Sequence, residues 1–311
     1  MKDANYLPEG RLIGKPENES YFSSIKTLER AMREGKILEA TALSCRRDTL
    51  DLEVALGSIR GIIPRAEVSF EPQGAGQKDI AVITRVGRPV CFVVKQIVPG
   101  DAPCAILSRR DAQKKCYEEY VSRLTPGDIT DAAVTHLDPF GAFVDVGCGV
   151  VSLLSIDCIS VSRISHPSER LKKGQAIKVV IKSIDDSGRI YVTLRELLGT
   201  WEENAAAFAV GSTVAGIVRS IEDYGIFVEL APNLAGLAER RTGVSVGDAC
   251  AVYIKNMIAE RMKVKLSIID SYAAPPEPTP LKYFVDTSSV RHIERFRYSP
   301  LLCPKVIETI F

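Results

Sequence analysis

The sequence lacks the features that mark several large classes of protein. Its formal net charge is only +1, so there is no overall basic field, and any contact with nucleic acid must be local and modest in affinity. It contains no run of about 18 apolar residues, which a membrane span requires, and its first residues lack the apolar core of a signal peptide. We therefore expect a cytoplasmic protein with no membrane partner.

Metal cages and catalytic centres are also not expected. Eight cysteines are scattered without a Cys-x-x-Cys pair, and the chain has only three histidines, so no metal site is predicted. The cysteines are predicted to be buried thiols in a reducing compartment. Asp185 and Asp186 form an acidic pair, but no base or nucleophile accompanies them, and we assign them to a turn. The sequence thus predicts no enzyme, no cofactor and no small-molecule substrate.

The sequence does contain a repeated eight-residue pattern near its middle. Residues 139–146 read PFGAFVDV and residues 223–230 read DYGIFVEL. Both copies run aromatic, glycine, small or aliphatic, phenylalanine, valine, acid, aliphatic. Their glycines, Gly141 and Gly225, lie about 84 residues apart, which is longer than a solenoid period and fits small stacked domains.

The first copy predicts two aromatic rings on the solvent side of a strand. Residues two apart in a strand share a face, so Phe143 and Asp145 are expected opposite the two valines beside them. Gly141 permits a bend or bulge that returns Phe140 to the face of Phe143. A buried ring is the alternative for Phe140, which precedes the bend.

Turn residues and prolines divide the chain into five segments. Residues 1–34 are predicted to be a loose leader to about residue 16 and then an amphipathic helix at 21–33. Three strand-rich blocks follow, at 35–124, 125–208 and 209–272, and the first two end in helical connectors. Residues 273–311 hold a proline-rich linker at 275–280 and a tail without periodicity. Five short strands per block favour a closed OB-fold barrel, so the predicted fold is mainly β, with three tandem five-stranded barrels.

The second block resembles the S-one RNA-binding domain, an OB-fold family. The resemblance lies in the strings FGAFVDVG, VVSLLS and ISHPSERLKKGQAIKVVIKSIDDSGRIYVTL. It extends to the third block less closely and to the first block weakly, and together it covers about three quarters of the chain. In aligning the third block with the second, we match Arg261 to Arg189 at the start of the fifth strand.

The resemblance implies where an RNA face lies. In the family this face holds two aromatics around the glycine, a histidine after the third strand, and an Asp and Arg near the last turn. Ser155 and Glu239 stand in the histidine places of blocks two and three, Ile258 in the acid place of block three, and Leu50 and Glu53 in the aromatic places of block one. Lys263 and Lys265 form a basic stripe beside Arg261. The implied RNA-binding residues are Phe140, Phe143, Asp185, Arg189, Tyr224, Phe227, Arg261, Lys263 and Lys265.

The resemblance implies binding of single-stranded RNA, namely mRNA in translation, by a protein similar to ribosomal S-one and associated with the small ribosomal subunit. Two alternatives remain: a protein-interaction adaptor docking on a ribosome or ribonuclease, and an accessory factor in RNA decay or transcription. Block one is expected to be a docking or spacer module. Arg170, Lys172 and Lys173 are either a phosphate-binding rail or a solvated loop. The tail at 291–298 either contacts RNA or docks on block three.

Overall fold

The computed structural model describes residues 6–70, 79–100, 103–273 and 280–311. The first five residues of the predicted leader and residues 275–279 of the predicted linker lie outside these ranges. The described chain is mainly β and forms three closed five-stranded barrels, as the sequence predicts. Within the described residues no helix is long and apolar enough to cross a membrane.

Barrel one follows two N-terminal helices and ends in a connecting helix. The helices are α1 (Pro16–Glu19), α2 (Ile25–Glu34), α3 (Asp79–Ile83) and α4 (Arg109–Glu119). The strands are β1 (Leu38–Cys45), β2 (Leu52–Leu56), β3 (Ile59–Ile63), β4 (Pro89–Val98) and β5 (Cys104–Ser108). Gly35 ends α2 in the left-handed conformation, as predicted. Helix α2 buries Leu28 and Ala31 against the barrel.

Barrels two and three repeat the same topology. Barrel two contains β6 (Ile129–Asp138), β7 (Gly141–Asp145), β8 (Val151–Ser155), β9 (Ala176–Ile184) and β10 (Ile190–Thr193). After helix α5 (Trp201–Ala205), barrel three contains β11 (Thr213–Glu222), β12 (Gly225–Ala231), β13 (Leu234–Ala238), β14 (Ala249–Ile258) and β15 (Lys263–Tyr272). In each barrel the third strand pairs in parallel with the fifth and closes the sheet, which leaves no open edge.

The second connector is shorter than the sequence predicts. A helix was expected from about residue 196 to 208, but the structure has a 3₁₀ turn at Arg195–Leu198 and the short α5. Gly199, with φ of 83°, separates them. A side chain there would approach the ring of Phe284 to 2.6 Å, so packing of the tail against the connector requires a glycine.

The prediction of a loose leader is wrong for the part of the leader that the structure describes. Tyr6 is buried, and its ring stacks on Tyr120 at 5.9 Å between centroids. The backbone N–H groups of Gly10 and Leu12 donate to Glu39 Oε2, each at 2.9 Å. The segment therefore lies between barrels one and two, and these long-range partners are absent from any local sequence pattern.

A buried carboxylate joins barrel two to this leader. Asp145, only 1% exposed, accepts from the backbone N–H of Glu9 at 2.7 Å and from Gly147 and Gly149. The carboxylate of Glu9 in turn accepts two hydrogen bonds from the buried Arg109, at 2.6 and 2.9 Å. Burial and the charge of Glu9 raise the pKa of Asp145 to about 7. Asp145 was expected on a solvent face, so its burial corrects the prediction.

A second buried carboxylate joins barrel three to barrel two. Glu229 stands in barrel three where Asp145 stands in barrel two, and it is buried. It accepts hydrogen bonds from Arg170, in the insert of barrel two, and from Arg219 Nε at 2.7 Å. Arg219 also pairs with Glu169. The two barrels therefore share one network of buried charges.

We expect Glu229→Gln to destabilise barrel three by about 3–5 kcal/mol, because it leaves Arg170 and Arg219 buried with too little negative charge. The buried Trp201 is the only tryptophan, so its fluorescence during urea unfolding measures the loss. Asp223→Asn is the control, because Asp223 is fully exposed and its loss should stay within about 0.5 kcal/mol. Equal shifts for both variants would contradict the prediction.

Glu39→Gln should remove part of the pH dependence of stability. Burial raises the pKa of Glu39 from 4.5 to about 7, so the folded state holds this proton more tightly than the unfolded state. Its stabilising contribution is therefore present at low pH and lost as pH rises through 7. Relative to wild type, the glutamine variant should gain stability on the order of 3 kcal/mol at pH 8 and nothing at pH 4.

Unfolding followed by circular dichroism at pH 4 to 8 measures this difference. Glu118→Gln is the matched control, because Glu118 lies on the exposed side of α4. A constant difference between Glu39→Gln and wild type across this range would refute the assignment.

Candidate nucleic-acid interface

Two aromatic rings lie together on the outside of barrel two. Phe140 is 54% exposed and precedes β7, while the partly exposed Phe143 lies within it. Their ring centroids are 5.9 Å apart and their planes are nearly perpendicular, at 86°. Edge-to-face packing of this kind is favourable for aromatic pairs, and it leaves ring faces open to solvent.

Gly141, between the two rings in sequence, allows β7 to lie close to β8. A Cβ at Gly141 would lie 2.5 Å from the carbonyl oxygen of Leu154 on β8, so only glycine fits. The bulge expected at this glycine lies instead in the neighbouring strand, where the register of β6 shifts between Val134 and His136. In barrel three, a Cβ at Gly225 would similarly meet the carbonyl oxygen of Ala238 at 2.6 Å.

The predicted acid and arginine of barrel two lie at the turn between β9 and β10. Asp185 Oδ1 accepts from the Ser187 hydroxyl at 2.6 Å and from the Ser187 and Arg189 amides, both at 2.9 Å. These bonds lower the pKa of Asp185, and the hydroxyl of Ser187 contributes most. Asp185 thus holds the turn in shape, and the side chain of Arg189 is exposed beside it.

Barrel three carries an equivalent pair of rings next to a groove. Tyr224 is 70% exposed, and its ring lies 6.1 Å from that of Phe227 at 89°. The two rings border an open groove of about 590 Å³. The other groove side chains include Lys255, Lys263, Lys265, Met262 and Glu239. The lining thus combines apolar, aromatic and cationic groups.

The expected match of Arg261 to Arg189 is wrong. Leu153 pairs with Tyr191 in barrel two, and Leu237 pairs with Lys265 in barrel three. The residue two positions before Tyr191 is Arg189, so its structural equivalent is Lys263. Arg261 lies in a 3₁₀ turn before β15. The turn of barrel three is one residue longer, and this offset cannot be read from local composition.

Glu239, in the histidine place of barrel three, is paired with Lys255 at 2.9 Å. Its negative charge is therefore partly compensated by a cation of the same groove. Lys263 and Lys265 are exposed, and neither is in an ion pair within the described residues. Two members of the predicted basic stripe, Lys263 and Lys265, thus lie on β15, whereas its third member, Arg261, lies in the turn before this strand.

Among the described residues of barrel one, no ring pair lies at the equivalent face. Glu53 pairs with Ser44 across β1 and β2, as Phe143 pairs with His136 in barrel two. Its carboxylate accepts from Arg46 at 3.1 Å, from Arg60, and from Ser44 at 3.0 Å. Charge pairs thus replace aromatic stacking there.

The contacts bear on two of the open alternatives. Arg170 does not belong to a phosphate-binding rail, because it is buried with Glu229, while Lys172 and Lys173 remain exposed. The tail docks on both neighbouring barrels. His292 pairs with Asp128 of barrel two at 2.8 Å, and the Tyr298 hydroxyl donates to the backbone of Asn233 in barrel three at 2.7 Å.

The tail hairpin and the third ring of barrel two are not predicted by the sequence. The hairpin pairs β16 (Arg295–Arg297) with β17 (Glu308–Ile310), and each strand is too short to show a period. The third ring is His136, stacked on Phe143 at 6.4 Å. Its strand position opposite Phe143 depends on the bulge in β6, which the sequence does not show.

Comparisons with known proteins show what parts of this chain are similar to. Residues 123–195 match the family described as the S1 (S-one) RNA binding domain. This match covers barrel two, including Phe140, Phe143, Asp185 and Arg189. Barrel two is therefore similar to the S1 RNA binding domain.

Among curated proteins, the chain is similar to small ribosomal subunit protein bS1 of Leuconostoc lactis, with 31% identity over 66% of this chain and 47% of that protein. It is 35% identical to the bS1 homolog of Bacillus cereus over 53% of this chain and 42% of that protein. The chain thus spans less than half the length of these relatives. A multidomain protein with nucleic acid binding domains from Streptococcus pneumoniae aligns at 15% identity over 76% of this chain and 74% of that chain, with a TM-score of 0.25.

Proposed function

We propose that this chain binds single-stranded RNA, and specifically mRNA during translation in the cytoplasm, through the outer faces of barrels two and three. The observation that carries the proposal is the recurrence of an exposed edge-to-face ring pair, Phe140 with Phe143 and Tyr224 with Phe227. Exposed rings with adjacent cations are the means by which proteins hold unstacked bases and their phosphates.

The proposed partner beyond RNA is the small ribosomal subunit. The bS1 relatives are named as proteins of that subunit, and we extend this association to the chain. Barrel one has Glu53 with Arg46 and Arg60 in place of rings, which suits charge-paired docking to a protein better than stacking. Co-purification of ribonucleases or transcription proteins in place of ribosomal subunits would instead favour the accessory-factor or adaptor alternatives.

Phe143→Ala should weaken binding of a labelled, unstructured RNA by about 1–3 kcal/mol, the contribution of one base stack. Fluorescence anisotropy at several salt concentrations measures the affinity, and the salt slope should be small because few phosphates are contacted. Tyr272→Ala removes a more exposed ring at the far end of β15 and should bind as wild type does. If Phe143→Ala also bound as wild type, the aromatic face would not be the RNA site.

Lys263→Ala should weaken RNA binding more than Arg261→Ala, because Lys263 occupies the strand position of Arg189. If one phosphate contact is lost, the magnitude of the salt slope should fall by about 0.7. Titrating both variants over the same salt series compares them directly. A larger loss of binding in Arg261→Ala than in Lys263→Ala would show that Arg261, and not Lys263, makes the main RNA contact.

A further inference from the structure

Strand pairing places four side chains of barrel two in one row across its outer face. His136 is opposite Phe143, Phe143 is opposite Leu153, and Leu153 is opposite Tyr191. Directly opposed residues project to the same side of a sheet. This ring row therefore begins with an imidazole, passes through a phenyl ring and an aliphatic side chain, and ends with a phenol.

The ring row is long enough for more than one base. The His136 ring is stacked on that of Phe143 at 6.4 Å and 23°, and the His136 side chain is 63% exposed. Asp138 Oδ1 lies 3.1 Å from its Nε2 and orients the ring. The row crosses three strand spacings, about 14 Å in all. This length is several times the thickness of one base, about 3.4 Å, so more than one base can lie against the row.

The equivalent row of barrel three has lost both end rings. The same pairing gives Ser220, Phe227, Leu237 and Lys265. A hydroxyl thus stands where barrel two has the imidazole, and an ammonium stands where it has the phenol. Lys263 projects from the same side two residues earlier, and both lysines are exposed. At the two ends of this row, barrel three therefore has less aromatic surface than barrel two and one more positive charge.

These two rows favour different parts of a nucleic-acid strand. Rings gain free energy from the faces of bases, and this gain depends little on salt. Lysines gain free energy from phosphates by releasing counterions, so their contribution falls as salt rises. We propose that barrel two is the main base-stacking face, with His136 and Tyr191 as added stacking residues, while barrel three, which keeps only the Tyr224–Phe227 pair, adds contacts to the sugar-phosphate backbone of the same strand through Lys263 and Lys265. This division of roles depends on the single-stranded RNA binding proposed for the chain.

Two oligonucleotides separate these roles: an unstructured RNA and an abasic phosphodiester strand of equal length. For the full chain, His136→Ala should weaken binding to the RNA about tenfold, leave the salt slope unchanged and leave binding to the abasic strand unchanged. Lys265→Ala should weaken both oligonucleotides by the same factor and reduce the magnitude of both salt slopes by about 0.7. Ser220→Ala, at the strand position of His136 in barrel three, is the matched control and should change neither.

Conservative variants separate stacking from charge and from folding defects. His136→Phe keeps a ring without a titratable group and should restore RNA binding to within about twofold of wild type. Lys265→Tyr gives barrel three the ring that barrel two has, so it should raise base-dependent binding and lower the salt slope.

Each remaining outcome counts against a specific claim. If His136→Ala weakened the abasic strand as much as the RNA, or if His136→Phe failed to restore binding, barrel two would not be a base-stacking face. If Lys265→Ala affected only the RNA, barrel three would not be a backbone-binding face. Failure of wild type to bind either oligonucleotide, or wild-type affinity in Phe143→Ala, would instead overturn the proposed function and the division of roles with it.

Discussion

The arrangement of the barrels depends on the burial of one carboxylate in the second strand of each downstream barrel. A buried charge costs several kcal/mol unless it is paired and hydrogen-bonded. Asp145 is satisfied by the leader amide and by its own turn, close to Arg109. Glu229 is satisfied by Arg170 and Arg219. Separating either carboxylate from these partners would cost free energy of folding, because buried polar groups would lose their hydrogen bonds. Each carboxylate therefore holds its barrel against the segment that precedes it.

Barrel one differs from barrels two and three at the strand position of this carboxylate. Its residue at this strand position is Ala55, which is exposed. Its turn between β2 and β3 contacts the N-terminal helical segment instead, where a Cβ at Gly57 would approach the carbonyl oxygen of Phe22 to 2.8 Å. The strand position that carries a buried carboxylate in barrels two and three is therefore uncharged in barrel one, where the adjacent turn packs on the helical segment.

The sequence predicted what depends on local periodicity and missed what depends on distant partners. Alternation and the repeated motif predicted the barrels and the position of Phe143, because strand geometry is a two-residue pattern. They misplaced Asp145 and Arg170, whose surroundings are supplied by residues 50 or more positions away. They also misaligned Arg261 by two positions, and the one extra residue in the turn of barrel three accounts for one of them. The role of each site residue in RNA binding remains a prediction.

In barrels two and three the second strand carries both a buried carboxylate that docks the barrel and an aromatic ring proposed to bind RNA. The two roles are compatible because they occupy different ends of the strand. Phe143 and Asp145 project to the same side, yet Phe143 is partly exposed and Asp145 is covered by the leader. Phe227 and Glu229 divide their strand in the same way. Docking thus covers the carboxylate end and leaves the aromatic end free in both barrels. Since the barrels are held by buried charges rather than by a flexible linker alone, a strand bound to one face meets the other at a defined position, with less ordering entropy lost on binding.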